Sequence, residues 1–180
     1  MRWCYLIGLV VVVFPIVLFS ACGMESIDFE NKELERNGPV LPLSFRTKGY
    51  CLLKSVTQIE EFVDLVETDW DLIKGRAFVN SGKWDIYKET TIEPFLQQYN
   101  ETFFSNSNLL MIEYNTSNPI DEIKKMYVKN NELHVKLKYK YRFTDAALGV
   151  KKPFKSLHIP LKKTDFDGEI VHIQYWTIYW

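Results

Sequence analysis

The sequence contains little cysteine: Cys4, Cys22 and Cys51 are the three in 180 residues. Cys4 lies within an apolar N-terminal run and Cys22 lies at its end, so that Cys51 is alone in the rest of the chain. A single cysteine cannot form an internal disulfide, and the fold must therefore be stabilised by its hydrophobic core. We interpret Cys51 as a small buried apolar residue, because no activating base lies near it in the sequence.

The chain also lacks an excess of charge of either sign. Its formal net charge at pH 7 is −1. Proteins that bind nucleic acid usually carry a basic patch or stripe and a high isoelectric point. The near-neutral balance therefore argues against nucleic acid as a partner.

Recognisable catalytic motifs are absent as well. The sequence has neither a glycine-rich phosphate loop nor a Gly-x-Ser-x-Gly nucleophile elbow. Its three histidines are His134, His158 and His172. A hairpin predicted around Asp167-Gly168 would place His172 opposite Lys163 and so scatter the histidines, and no spacing typical of a metal site stands out. We therefore predict no catalytic residue, no metal, no cofactor and no enzymatic activity.

What the sequence does contain is an apolar leader. Met1 and Arg2 form a short positive start, and the run from Trp3 to Phe19 has no charged residue. Such a leader is typical of a secretory signal peptide. An uncut membrane anchor is the alternative, since about 20 apolar residues can span a bilayer. Both interpretations place the rest of the chain outside the cytoplasm.

The end of the leader, Phe19-Ser20-Ala21-Cys22, resembles the bacterial lipobox. The resemblance implies that residues 1–21 are removed and that the Cys22 thiol receives a diacylglycerol, with a further acyl chain on the new amine. Two or three chains anchor a protein stably, whereas one chain is marginal. The predicted location is therefore the cell membrane, lipid-anchored and facing outside the cytoplasm. A plain signal peptide with an incidental cysteine is the alternative.

The remainder divides into two parts. Residues 23 to about 37 are polar and acidic and are followed by "GPVLP", which predicts that residues 22–40 are an acidic tether between the membrane and the folded part. Residues 41–180 have the usual size of a single domain.

Periodicity predicts the fold class of that domain. Apolar residues at helical spacing in "TQIEEFVDLVE" indicate one main amphipathic helix. Leu133 to Phe143 alternates apolar and polar residues, which is typical of a half-buried strand. Asn130-Asn131 fits the tight turn of one hairpin, and Asp167-Gly168 predicts a second. We expect an α+β fold with an antiparallel sheet built from hairpins, and an all-β sandwich is the alternative.

The last segment, Ile170 to Trp180, is apolar on both faces. A strand of this kind is usually buried on both sides, which predicts a central strand with Trp176 and Trp180 in the core. An exposed aromatic platform for a sugar or a peptide is the alternative.

A positive stripe lies on the polar face of the alternating strand. Lys136, Lys138, Lys140 and Arg142 would project from one side of it. These residues are our candidates for contact with an anionic surface: lipid head groups, a wall polymer or an acidic envelope protein. The alternative is an ordinary solvated sheet face, neutralised by Glu113 or Asp121.

Three further stretches, "YNETFFSNSNLLMIEY", "YRFTDAA" and "HIPLKKTDFDG", are similar to sequences in a group of small bacterial lipoproteins of unknown function. That group is distantly like the C-terminal domain of an accessory subunit of a spirochaete surface-protease complex. The resemblance covers about Ile92 to Val171 and implies a binding or accessory module outside the cytoplasm, with no catalytic residues. The alternatives are a surface-protease regulator with an exposed loop at about Asn100 to Asn108 and, less favoured, an envelope enzyme.

Overall fold

The computed structural model of the chain describes residues 24–27, 35–77, 82–116, 120–141 and 154–179. They form an α+β fold, as the sequence predicts. Three layers pack on one another: helices cover one face of a four-stranded antiparallel sheet, and a second, mixed four-stranded sheet covers the other face. The all-β alternative is wrong because helices build one complete layer.

The strands are β1 Met24–Ser26, β2 Glu35–Gly38, β3 Tyr50–Leu53, β4 Ser107–Asn115, β5 Ile120–Lys129, β6 Glu132–Tyr141, β7 Phe154–Lys162 and β8 Val171–Tyr179. The helices are α1 Leu43–Arg46, α2 Val56–Thr68, α3 Trp70–Ala77, α4 Trp84–Tyr87, α5 Glu93–Gln98 and α6 Glu101–Asn106, with a π-helical turn at Lys88–Ile92 between α4 and α5.

Helix α2 forms where the periodicity predicts it. Ser55 caps its N-terminus, because its Oγ accepts a hydrogen bond from the backbone N–H of Gln58 at 3.2 Å. The Gln58 side chain in turn accepts from the N–H of Lys54 at 2.7 Å. The apolar stripe of the helix packs into the core through Ile59, Phe62 and Val66.

The segment from Asn100 to Asn108 is not the exposed loop that the alternative of a surface-protease regulator predicts. Asn100 caps helix α6 by accepting from the N–H groups of Thr102 and Phe103. Phe104 on this helix is buried in the core. The capping asparagine and the apolar anchor together make the segment helical.

The antiparallel sheet has the order β2-β7-β4-β3 and is buried on both faces. In β4, the four residues from Leu109 to Ile112 are all 0% exposed. Leu110 and Ile112 face the mixed sheet, while Leu109 and Met111 face the helices. A continuous apolar run is what a strand covered on both sides requires.

The mixed sheet has the order β1-β5-β6-β8, and its hairpin β5–β6 confirms the prediction. Asn130 and Asn131 both have positive φ, 53° and 60°, as the tight turn demands. The alternation along β6 is also confirmed over its described part: Lys136 is exposed, whereas the buried side chains are Leu133, Val135 and Leu137. Arg142 and Phe143 lie outside the described residues.

The second predicted hairpin is wrong. Strand β7 belongs to the antiparallel sheet, and the chain then crosses to the mixed sheet, where β8 pairs parallel to β6. Phe166 anchors this crossing because its side chain is buried in the core between the sheets. Gly168 packs so tightly that an added Cβ would lie 2.6 Å from the carbonyl oxygen of Asn131. Asp167-Gly168 thus serves a crossover connection and not a hairpin turn.

The prediction of a central C-terminal strand is also wrong. Among the described strands, β8 has one neighbour and forms an edge of the mixed sheet. Tyr175 and Trp176 are 50% and 67% exposed. Apolar residues on both faces of β8 therefore do not mean burial on both faces, and Trp180 lies outside the described residues.

The described parts of residues 22–40 do not form a tether. Strand β1 pairs with β5, and β2 pairs with β7, so both sheets begin within this region. Ile27, Val40 and Leu41 are buried. These apolar side chains pack into the core and so attach the acidic segment to the fold, which begins earlier than predicted.

Candidate functional site

The exposed face of the mixed sheet brings together one carboxylate and two imidazoles. Glu132 and His134 lie two residues apart on β6 and therefore on the same face. His172 on β8 stands directly opposite His134 in the parallel register. Nε2 of His172 lies 2.8 Å from Oε2 of Glu132. The three side chains form a group that we call the His-Glu cluster, in which one nitrogen or oxygen atom from each residue lies within 4.8 Å of the other two.

The cluster does not follow from the predicted β7–β8 hairpin, which is wrong. A β7–β8 hairpin would have set His172 opposite Lys163, whereas the parallel pairing with β6 sets it opposite His134. The third histidine, His158, lies on β7 in the other sheet. The signal that remains in the sequence is the Glu-x-His spacing, which places both side chains on one strand face.

Aromatic rings surround His134. The Tyr127 ring stacks on it with centroids 4.8 Å apart and an interplanar angle of 4°. On the other side, the His172 ring lies 4.7 Å away at 19°. Lys125 places its ammonium 5.2 Å from the centre of the Tyr127 ring. A stack of three rings thus crosses three neighbouring strands of the sheet.

Desolvation within this stack lowers the pKa of His134, and the positive potential of His172, Lys129 and Lys136 lowers it further, while Glu132 opposes the shift. A histidine with a lowered pKa is neutral at pH 7. His134 therefore offers an unprotonated ring nitrogen on the exposed face of the sheet.

The predicted positive stripe is partly neutralised by carboxylates. Lys136 is exposed. Lys138 is held by two carboxylates on β5, with its Nζ 3.0 Å from Asp121 and 3.6 Å from Glu122. The hydrogen bond to Asp121 and the negative charges of both partners raise the pKa of Lys138. Neutralisation by Asp121, the alternative that the sequence left open, therefore holds for Lys138.

Other predicted positions are less informative. Lys140 lies in β6, but its side chain is not among those described. Arg142 and Cys22 lie outside the described residues. Cys51 is 2% exposed, and burial raises the pKa of its thiol to about 12. Its interpretation as a buried apolar residue is confirmed, and an inert thiol is what such burial produces.

A serine and a histidine lie side by side in the antiparallel sheet, but both are sealed. Nε2 of His158 is 3.0 Å from Oγ of Ser156, and Nδ1 is 3.0 Å from the hydroxyl of Tyr99. Ser156 donates its own proton to the carbonyl oxygen of Pro39 at 2.8 Å. Since Ser156 is 0% and His158 1% exposed, this hydrogen-bonded chain has no access to a substrate. It satisfies buried polar groups and stabilises the fold.

A shallow depression of about 430 Å³ opens beside the β5–β6 turn. It is mainly polar, with Glu25 of β1 on one side and Lys163 and Asp165 of the crossover on the other. Asn130 and Asn131 complete its rim. The depression therefore lies next to the end of the sheet that carries the His-Glu cluster.

Comparison with known proteins yields no relative. No protein-family model, no curated protein and no solved structure matches the chain. Within the described residues, none of the helices has both the length and the apolar character needed to cross a membrane.

Proposed function

We propose that the chain is a lipid-anchored binding or accessory module of a bacterial cell envelope, located outside the cytoplasm and without catalytic activity. The observation that carries this proposal is the position of Ser20-Ala21-Cys22. This lipobox-like triplet ends the apolar leader two residues before β1 begins at Met24.

The short distance from Cys22 to β1 sets the orientation that we propose. Two residues of extended chain span at most about 7 Å. Met24 pairs with Lys129, the last residue of β5 before the Asn130-Asn131 turn. With a lipid on Cys22, the turn end of the mixed sheet would lie at the head groups, and the exposed face of that sheet would be presented beside the membrane.

The membrane, through the lipid anchor, is the first partner in this proposal, and an envelope protein or an anionic polymer is the second. Exposed Lys136 supports contact with an anionic surface, whereas the carboxylates bound to Lys138 restrict the positive area. The sealing of Ser156 and His158 supports a role without catalysis, since it removes a nucleophile and a base from solvent.

Mass spectrometry of the mature N-terminus tests the anchor. We expect residues 1–21 to be absent, Cys22 to be acylated and the protein to fractionate with membranes. Cys22→Ser should remove the acyl mass and release the protein from the membrane fraction, or leave the leader uncut. Cys4→Ser is the matched control and should change neither result. An unmodified Cys22 on native protein would contradict the proposal.

A further inference from the structure

We propose that Glu132, His134 and His172 form a binding site for one divalent transition-metal ion, with Zn²⁺ as the best match. This site does not depend on the lipid anchor or on the partner proposed above.

The pairing of β6 with β8 brings the three ligands together. The Glu-x-His pair on β6 puts two ligands on one strand face, and the parallel register adds His172 from the adjacent strand. Two hydrogen-bonded strands thus bring three ligand atoms within 4.8 Å of one another. Among the described residues this is the group of histidine, cysteine and acidic side chains whose ligand atoms could hold an ion.

The distances require only a small movement. Around a tetrahedral Zn²⁺ with bonds of about 2.0–2.1 Å, two ligand atoms lie about 3.4 Å apart. The His172–Glu132 contact of 2.8 Å would open slightly to admit the ion, and the most distant atoms would close from 4.8 Å. Rotation of the His134 and His172 rings out of their stack supplies this change, since a metal binds in the plane of an imidazole.

The ligand chemistry selects the kind of ion. Two imidazoles and one carboxylate suit Zn²⁺ and its neighbours in the first transition row, whereas Mg²⁺ and Ca²⁺ require oxygen ligands. Lys129 and Lys136 oppose a cation, but charges exposed to solvent are screened by salt.

The access to the site determines its coordination. Glu132 and His134 are half-buried and His172 is exposed, so solvent reaches the cluster. Three protein ligands leave the fourth tetrahedral position to water or to a donor atom of a partner. The site therefore has the open form, in contrast to the closed four-ligand form of purely structural zinc sites.

Isothermal titration of untagged full-length protein carrying Cys22→Ser with Zn²⁺ tests the proposal. We expect one Zn²⁺ per chain, no heat from Mg²⁺, and a rise in the melting temperature on addition of Zn²⁺, since an ion that binds only the folded state stabilises it. His134→Ala and His172→Ala should each weaken Zn²⁺ binding by about tenfold or more, and Glu132→Gln should weaken it in the same direction.

Two variants on the same sheet face are matched controls. Gln174→Ala changes the next exposed residue of β8, opposite Lys136, and Tyr127→Phe keeps the ring that stacks on His134. Both should bind Zn²⁺ like the parent, and the melting temperature without Zn²⁺ reports the folding of every variant. Absence of Zn²⁺ binding by the parent, or binding that folded His134→Ala and His172→Ala variants retain in full, would overturn the proposal.

Discussion

The two sheets of this protein have almost opposite environments. The antiparallel sheet lies between the helices and the mixed sheet, and its strand β4 has five successive residues without exposure, Asn108 to Ile112. The mixed sheet has one covered face and one wet face, and β6 alternates accordingly. Polar side chains therefore have different roles in the two sheets: His158 in the first is sealed by hydrogen bonds, whereas His134 and His172 in the second are open to solvent and to ligands.

The largest expected effect tests the burial of the antiparallel sheet. Leu110→Ala removes a fully buried side chain between the two sheets and should lower the free energy of unfolding by about 2–5 kcal/mol. Leu72→Ala is the control, because Leu72 is 67% exposed and its truncation should change stability by less than about 0.5 kcal/mol. Urea unfolding measures both, and equal effects of the two substitutions would contradict the burial described for β4.

A smaller effect is expected from the sealed polar chain in the same sheet. Ser156→Ala removes the hydroxyl that bonds to Nε2 of His158 and to the carbonyl oxygen of Pro39, which should cost about 1–3 kcal/mol of unfolding free energy. Ser105→Ala removes an exposed hydroxyl and should be nearly neutral. If Ser156→Ala proves as mild as its control in the same urea experiment, the chain does not stabilise the sheet.

On the solvent-exposed strand β8 we expect a still smaller effect on the free energy of unfolding. Trp176→Ala should change the free energy of unfolding by less than about 0.5 kcal/mol, because the ring is largely exposed. Trp70→Ala, in contrast, removes a ring that is 7% exposed and should cost about 3–5 kcal/mol. Thermal unfolding distinguishes the two, and a large loss on Trp176→Ala would restore the central-strand prediction.

The smallest effect concerns charge on the wet face. The hydrogen bond from Lys124 holds the pKa of Glu122 below its usual value. The positive charges of Lys124 and Lys138 lower this pKa further, whereas the negative charge of Asp121 raises it. A carboxyl whose pKa is lowered in the folded state stabilises the fold above its unfolded pKa, and this contribution is lost as the pH falls through the folded pKa. Lys124→Ala should raise the pKa of Glu122 in a carboxyl NMR titration. An unchanged titration curve would show that the pair does not form in solution.

Local sequence patterns predicted the elements that depend on local physics. Helix α2 follows from its apolar spacing, and the β5–β6 hairpin follows from two asparagines that tolerate positive φ. The alternation of β6 follows from one buried face. In each of these cases the residues that determine the structure are close together in the chain, so that the pattern can be read without knowledge of distant contacts.

The position of β8 could not be read in this way. An Asp-Gly pair between two apolar strands favours a hairpin, but burial of Phe166 and the close packing of Gly168 on Asn131 divert the chain to the other sheet. These are tertiary contacts between distant residues. The same contacts decide that β8 is an edge strand, which reversed the prediction for Trp176.

The candidate site failed to emerge from the sequence for the same reason. Glu132 and His134 are visible as neighbours on one strand face, but the third group depends on the partner of β8. The lysine stripe can be read from the sequence, but the ion pair between Lys138 and Asp121 depends on the register of β5 with β6. A group of ligands that comes from different strands can be predicted only when the pairing of those strands can be predicted.

From the crossover between β7 and β8 we expect an order of folding. Strands β5 and β6 are joined by a two-residue turn and can pair quickly, whereas β8 can reach β6 only after a long segment of intervening chain has been closed into a loop. As an edge strand with an exposed face, β8 should open locally at a lower free-energy cost than the central pair β5–β6. The amide hydrogens of β8 should exchange sooner than those between β5 and β6. Each opening of β8 would separate His172 from Glu132 and His134, so that the His-Glu cluster exists only while β8 is paired with β6.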